Sequence, residues 1–174
     1  MKEGLFMNDT TKKIVLASML AALVFIATII IRIPMPSIGY INLGDCFVLL
    51  CGWILGPIYG GLAAGLGSAI ADLSAGYVSY APVTFVIKGL MAVVAYYLGV
   101  KLSKDKENIV LKILSAVVAE LVMIGGYLVY EGVLYGFEGA VVNVPFNSIQ
   151  GSIGLIAGLI LVSVYNKTIK PMLK

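Results

Sequence analysis

The sequence predicts an all-α fold: one polytopic membrane domain of six transmembrane helices, with N- and C-termini both cytoplasmic. Three observations predict it. Of 174 residues, 60% are hydrophobic and 12% charged, with a mean hydropathy of +1.03; ordinary soluble domains run at about 45–50% apolar and about 25% charged. A soluble body of 18.4 kDa has too little interior to hide so much apolar surface. The chain also divides into uncharged runs close to the roughly 20 residues that cross a bilayer. Finally, ten of the twelve basic residues fall in three clusters, and only an even number of crossings puts all three on one side.

The elements follow in order. The first helix is expected over about 14–31, between Lys13 and Arg32. It is too long for a signal-peptide core, with no small-residue cleavage site after it, so it is expected to be retained. Pro34 and Pro36 end it, because proline breaks the hydrogen-bond ladder and the residue before it avoids the helical region. The next 26 uncharged residues, 46–71, are interrupted by Gly56-Pro57. One kinked span here would put the middle basic cluster across the membrane from the N-terminus; a hairpin, 41–55 and 58–73, keeps all clusters inside. The clusters are Lys2, Lys12 and Lys13; Lys101, Lys104, Lys106 and Lys112; and Lys167, Lys170 and Lys174. The hairpin is therefore expected, followed by helices at 82–99, 109–130 and 148–165. The outer face then carries the segments 32–45, 73–82 and 131–147, which hold Arg32 but no lysine.

Composition excludes several functions. The chain has no histidine and two cysteines, which removes the usual ligands and bases of zinc hydrolases, haem proteins and histidine-dependent membrane proteases. Cys46 and Cys51, five apart in an apolar run, read as small packing residues. A net charge of +3, scattered along the chain, argues against nucleic acid. No room is expected for a fused ATPase, no nucleophile–base pair is evident, and no cofactor or metal is implied. The glycines from Gly52 to Gly67 include the pairs Gly56/Gly60 and Gly61/Gly65, which let helix backbones approach closely; Gly151, Gly154 and Gly158 form a second row. No Gly-Lys-Ser/Thr follows the first group, so it is not a phosphate loop.

Polar residues inside the spans carry the functional signal, since a mid-bilayer charge costs about 2.5–3.5 kcal/mol on insertion scales. Lys88 lies roughly 9 Å below the outer end of its helix, and Glu120 roughly 16 Å below Glu131. Glu120, Tyr127 and Glu131 are spaced seven and four apart, so they share one helix face to within about 20°. Asn147 and Gln150 stand three apart on the last helix, and Thr84 and Lys88 four apart on the fourth. Lys88, Asp72 and Glu131 are all placed against their helix dipoles, a poor choice for stability alone. Asn42 and Asp45 read as a capping pair instead. Two accounts of the buried charges compete: a Lys88–Glu120 or Lys88–Asp72 pair that only specifies packing, or a site open to the outside for a small polar ligand. In the second, Tyr80, Tyr127 and Tyr130 stack on a ring while Lys88, Asn147, Gln150 and the carboxylates satisfy its heteroatoms. Near the cytoplasmic end, Ala17 and Ala21 leave a flat strip suited to internal packing or to docking of a partner helix.

Several local stretches then carry a resemblance. Ile41-Asn42-Leu43-Gly44-Asp45, Gly56-Pro57-Ile58-Tyr59-Gly60-Gly61, Gly67-Ser68-Ala69-Ile70-Ala71-Asp72-Leu73, Tyr80-Ala81-Pro82-Val83-Thr84, Ile87-Lys88-Gly89 and Asn147-Ser148-Ile149-Gln150-Gly151 resemble the substrate-binding S components of energy-coupling factor (ECF) vitamin transporters, over about residues 12–166. The resemblance implies a subunit that binds a vitamin or precursor from outside. It also implies docking on a membrane coupling subunit (the T component) attached to two cytoplasmic ATPases, and toppling to release the cargo inward. It implies ligand contacts at Lys88, Glu120, Tyr127, Glu131, Asn147 and Gln150, with Thr84 and Tyr80 beside them, docking at Ala17 and Ala21, and lids at 32–45, 73–82 and 131–147. Among subgroups the chain looks most similar to those for hydroxymethylpyrimidine or pyridoxine, with thiamine, riboflavin and other vitamins also open. The rival reading is an ion- or proton-coupled secondary transporter; it wants polar residues continuing to the cytoplasmic side, and 111–119 offers only Lys112 and Ser115.

Overall fold

The structure is a computed structural model that describes residues 9–35, 39–103 and 108–173. Lys2, Lys104, Lys106 and Lys174 of the basic clusters, and Pro36 of the first helix stop, lie outside the described residues. The fold is all-α, as predicted. Helix α1 spans Asp9–Ile30, α2 Gly44–Ser74, α3 Ala81–Tyr96, α4 Ile109–Tyr135 and α5 Phe137–Val164. A two-stranded hairpin, β1 (Ile33–Pro34) and β2 (Tyr40–Ile41), joins α1 to α2. Among the described residues, five helices are long and apolar enough to cross a membrane.

The second of these is broken where the sequence said it would be. Gly56 takes φ +81°, a conformation that favours glycine, and Pro57 follows without an amide hydrogen to give. The two arms fold back on each other: a side chain added at Gly60 would strike the backbone of Cys51 and Gly52. Both ends of α2 consequently lie together. Tyr40, just before α2, bonds Asp72 near its end at 2.6 Å; on a straight helix residues 44 and 72 would stand about 42 Å apart. The first arm begins at Gly44, not 41, because residues 40–41 are taken by β2. It is left with 12 helical residues, about 18 Å, short of a full crossing.

Two further boundaries depart from expectation. The segment 131–147, expected as an outer loop and lid, is almost wholly helical: α4 runs on to Tyr135 and α5 starts at Phe137. The whole connection is Gly136 at φ +91°. Glu131, at the start of the expected loop, instead accepts from Asn143 Nδ2 at 2.9 Å across this corner. At the opposite end α3 passes into a π-helical turn, Tyr97–Lys101, and Asn108 caps α4 by accepting from Val110 and Leu111 N–H at 3.0 and 3.2 Å.

Small residues set the packing. Gly52 lies against Ala92 and Ala95, Gly61 against Gly89, Gly65 against Phe85 and Gly67 against Ala21 and Val24. These approaches draw α1, both arms of α2 and α3 into one layer, onto which α4 and α5 close. Leu49, Cys51, Met91, Ala95, Ala116 and Met123 fill the centre and are fully buried. Isoleucine, leucine and valine cover the outer faces, as a chain solvated by lipid requires. Cys46 and Cys51 are both free thiols in the core.

Candidate functional site

At the end of the bundle where β1–β2 lies, polar side chains from five segments turn inward around one small cavity. Met35, Gly39, Tyr40 and Asn42 come from the hairpin region, and Asp72, Tyr77 and Tyr80 from the end of α2 and the turn after it. Thr84 comes from α3, Tyr127 and Glu131 from α4, and Asn147 and Gln150 from α5. Six of the eight residues expected to hold ligand, Tyr80, Thr84, Tyr127, Glu131, Asn147 and Gln150, are thus brought together.

Lys88 sits one helical turn below Thr84. It is buried and makes an ion pair with Asp45, which is fully buried. This corrects two expectations. Lys88 pairs with neither Glu120 nor Asp72, and Asp45 is no helix cap. Its second oxygen accepts from Gln150 Nε2 at 2.7 Å. Only Asn42 of the expected capping pair behaves locally, accepting from Gly44 N–H at 2.8 Å, and it also donates its own backbone N–H to Gln150 Oε1 at 2.9 Å. The physical reason is position: in the first turn of a helix that starts inside the bundle, the Asp45 side chain faces Lys88 of α3 and not its own N–H groups. Lys88, Asp45, Gln150 and Asn42 therefore form one chain of bonds that closes the cavity floor.

Glu120 does not line the cavity. Its carboxyl lies against the glycine face of α5: a side chain at Gly151 or Gly154 would crowd it, and at Gly154 would strike Asp45. Neither of its oxygens has a hydrogen-bond partner among the described residues, although Glu120 is 5% exposed. It borders a separate shallow groove between α4 and α5 with Ser148 and Ser152. The helical stripe read from sequence is real, but its lower member belongs to the floor's underside, beside Asp45.

The walls are aromatic. Tyr80 packs edge-on against Tyr77 and Tyr130, with ring centroids 5.9 and 5.2 Å apart, and Tyr77 meets Tyr40 at 5.1 Å. Three of the phenols are hydrogen-bonded to cavity side chains: Tyr40 with Asp72, Tyr80 with Glu131 at 3.3 Å, and Tyr127 with Thr84 at 3.0 Å. The Lys88 ammonium also stands 5.7 Å from the Tyr127 ring. Burial, reinforced by the Asp72 carboxylate, pushes the Tyr40 phenol above its usual range, and burial with Glu131 does the same for Tyr80. Rings that remain neutral and bonded offer flat faces with oriented oxygens at their edges.

The free space is about 40 Å³, room for a few waters. Among the described residues the hairpin is held by two residue pairs, the Met35–Gly39 bond at 3.1 Å, the Tyr40–Asp72 bond and the Tyr40–Tyr77 ring contact. Below the floor, Met91, Leu49 and Met123 close the bundle, so the cavity is blind. Sequence reasoning missed Tyr40, Asp45, Asn143 and, as a ligand wall, Asp72; the available signal was a carboxylate in the first turn of an apolar helix. At the other end, Ala17 and Ala21 are half-buried and line a shallow groove between α1 and the second arm of α2 with Tyr59, Leu62 and Leu66.

Comparison with known proteins agrees with this architecture. Residues 8–167 match the family model described as ECF-type riboflavin transporter, S component. An uncharacterized protein of Pyrococcus woesei is 39% identical over 152 residues, 87% of this chain and 99% of that one. The thiamine precursor transporter HmpT of Lactococcus lactis subsp. cremoris is 26% identical over 163 residues, 92% of each chain. The solved structure of the S component of a bacterial ECF transporter superposes with a TM-score of 0.75 at 23% identity, covering 93% of this chain and 99% of that one. With a family model matching nearly its whole length, this chain, a multi-pass membrane protein, belongs to the S-component family of ECF transporters.

Proposed function

We propose that this protein captures a small aromatic vitamin precursor, a single heterocycle of the hydroxymethylpyrimidine or pyridoxine type, on the outer side of the membrane and delivers it inward. One observation carries the reading: ring faces and hydrogen-bonding termini from five segments converge on one blind cavity beneath the β1–β2 hairpin. The small free space favours one ring over a fused tricyclic system such as riboflavin's. The relationship to a thiamine precursor transporter supports the same class.

In this reading Tyr80, Tyr127 and Tyr40 sandwich the ring. Thr84, Glu131, Asn147 and Gln150 take its heteroatoms, and Lys88 with Asp45 and Glu120 sets the charge of the floor. The chain crosses the membrane six times in this reading, the two arms of α2 being its second and third passages, with both termini cytoplasmic; the basic residues at Lys12, Lys13, Lys101, Lys112, Lys167 and Lys170 support that orientation. Energy comes from outside the chain: a membrane T component docks on the Ala17/Ala21 groove, and two ATPases drive release in a prokaryotic plasma membrane. Native mass spectrometry of the purified protein tests the proposal. A co-purified monocyclic pyrimidine or pyridine, lost in Asn147→Ala and weakened in Glu120→Ala, is expected; retention of riboflavin or of no vitamin-sized molecule after growth in rich medium overturns the ligand class.

A further inference from the structure

Among the described residues a second cavity is larger than the one described above. It measures about 760 Å³ and lies at the opposite end of the bundle, where the Gly56–Pro57 corner meets the ends of α3 and α5 and the starts of α1 and α4. Four lysines from four segments border it: Lys13, Lys101, Lys112 and Lys170. Lys112 is itself 3% exposed, which places a cation deep in the wall and not on a solvated rim. Trp53, Tyr59, Tyr96 and Tyr165 supply aromatic surface. Ile54, Leu55, Ile58 and Val162 make the rest apolar, and Ile58 is 71% exposed on its outer side.

We propose that this cavity binds the phosphate of an anionic membrane lipid, with the glycerol and upper acyl chain lying along its apolar wall. A basic pocket at the ends of membrane helices is a recurring way to hold such headgroups. Free inorganic phosphate presents the same charge, but it would use neither the apolar wall nor most of the space. Aromatic side chains at this depth match the headgroup level of a bilayer, where their rings are amphipathic anchors. The position matters because the Gly56 corner forms one wall. A bound lipid would tie the turn of α2 to α4 and α5, the two helices that also carry Glu131, Asn147 and Gln150 at the far end. The proposal depends on the chain's lying in a membrane and not on which vitamin it carries.

Trp53 is the single tryptophan of the chain and lines the cavity, bonded through Nε1 to Ser115 at 3.0 Å. It therefore reports occupancy directly. The full chain is placed in phosphatidylcholine nanodiscs containing phosphatidylglycerol or phosphatidylcholine with brominated acyl chains, and quenching of Trp53 is followed. Brominated phosphatidylglycerol is expected to quench at a lower mole fraction than brominated phosphatidylcholine, with the difference shrinking as salt rises. Lys13→Gln, Lys101→Gln and Lys170→Gln should each weaken that preference about fivefold, from about 1 kcal/mol per basic residue. Equal quenching by the two lipids overturns the proposal, as does a preference untouched by all three substitutions. Complete displacement of the brominated lipid by millimolar inorganic phosphate, or by a soluble acidic peptide, assigns the cavity to those ligands and overturns the lipid assignment. Should a variant fail to fold, native mass spectrometry of the unaltered chain after detergent washing gives the same decision through the lipid class retained.

Discussion

Removing the charge of Asp45 gives the sharpest test of how the floor is built. Asp45 and Lys88 are 0% and 4% exposed at their side chains and face each other across α2 and α3. Asparagine matches aspartate in volume and keeps an oxygen for Gln150 Nε2, so Asp45→Asn opens no cavity and leaves that 2.7 Å bond a partner. What remains is an uncompensated ammonium in an apolar body, for which the cost of breaking a buried pair is about 3–5 kcal/mol. Lys88→Met should cost at least as much, because it leaves Asp45 unpaired with the Glu120 carboxyl beside it across Gly154. The double variant removes both charges and should cost less than either alone, since neutral replacements of buried pairs are often neutral or stabilising. The coupling in the double-mutant cycle is then about 3 kcal/mol or more, roughly a hundredfold in the unfolding equilibrium. Trp53 fluorescence during denaturation of the detergent-solubilised protein reads all four proteins, because that side chain is buried away from the substitutions. Additive losses in the single and double variants would refute the pairing.

Three further outcomes are expected. Gly154→Val drives a branched side chain into both Asp45 and Glu120, so it should destabilise by about 1–3 kcal/mol and loosen ligand binding in equilibrium dialysis, whereas Gly125→Val, with open space around it, should do neither. Ala17→Trp fills the groove between α1 and the second arm of α2; binding by the purified chain should persist while uptake by cells carrying the coupling subunits is lost, and normal uptake would remove the docking assignment. The Tyr40 phenol is held above its usual value by burial and by Asp72, so the folded chain keeps a proton that the unfolded chain releases above about pH 10. Stability should therefore be unaffected by this group from neutral pH to about 10 and should fall as pH rises further, with a shallower fall in Tyr40→Phe by alkaline denaturation.

The register of the helices was legible because lipid makes the demand uniform. Every backbone polar group must be satisfied within its own segment, so uncharged runs such as 14–31 and 46–71 could only be helices. The polar stripe of Glu131 and Tyr127, the pair Asn147 and Gln150, and Thr84 were readable for the same reason: a costly side chain at helical spacing has a direction, and directions that agree imply a shared space. The break at Gly56-Pro57 was readable from backbone chemistry alone. The corner at Gly136 was not, because a single glycine between polar residues looks like part of a loop until Asn143 is seen bonding Glu131 across it.

Partner choice was the other thing hidden from the sequence. Lys88 had two candidate carboxylates, Glu120 and Asp72, and helical periodicity fixes which way a residue points on its own helix but says nothing of the distance to the next one. That distance is set by glycines that let α2 fold back and α3 approach, at Gly52, Gly60 and Gly61. Close approach placed Asp45 against Lys88 and left Glu120 on the glycine face of α5. By itself, then, the sequence determined an all-helical membrane body with its polar residues gathered toward one end, because hydrophobicity and period are local properties. The tertiary structure alone decided which charges meet, because that depends on gaps between helices that only the packed backbones define.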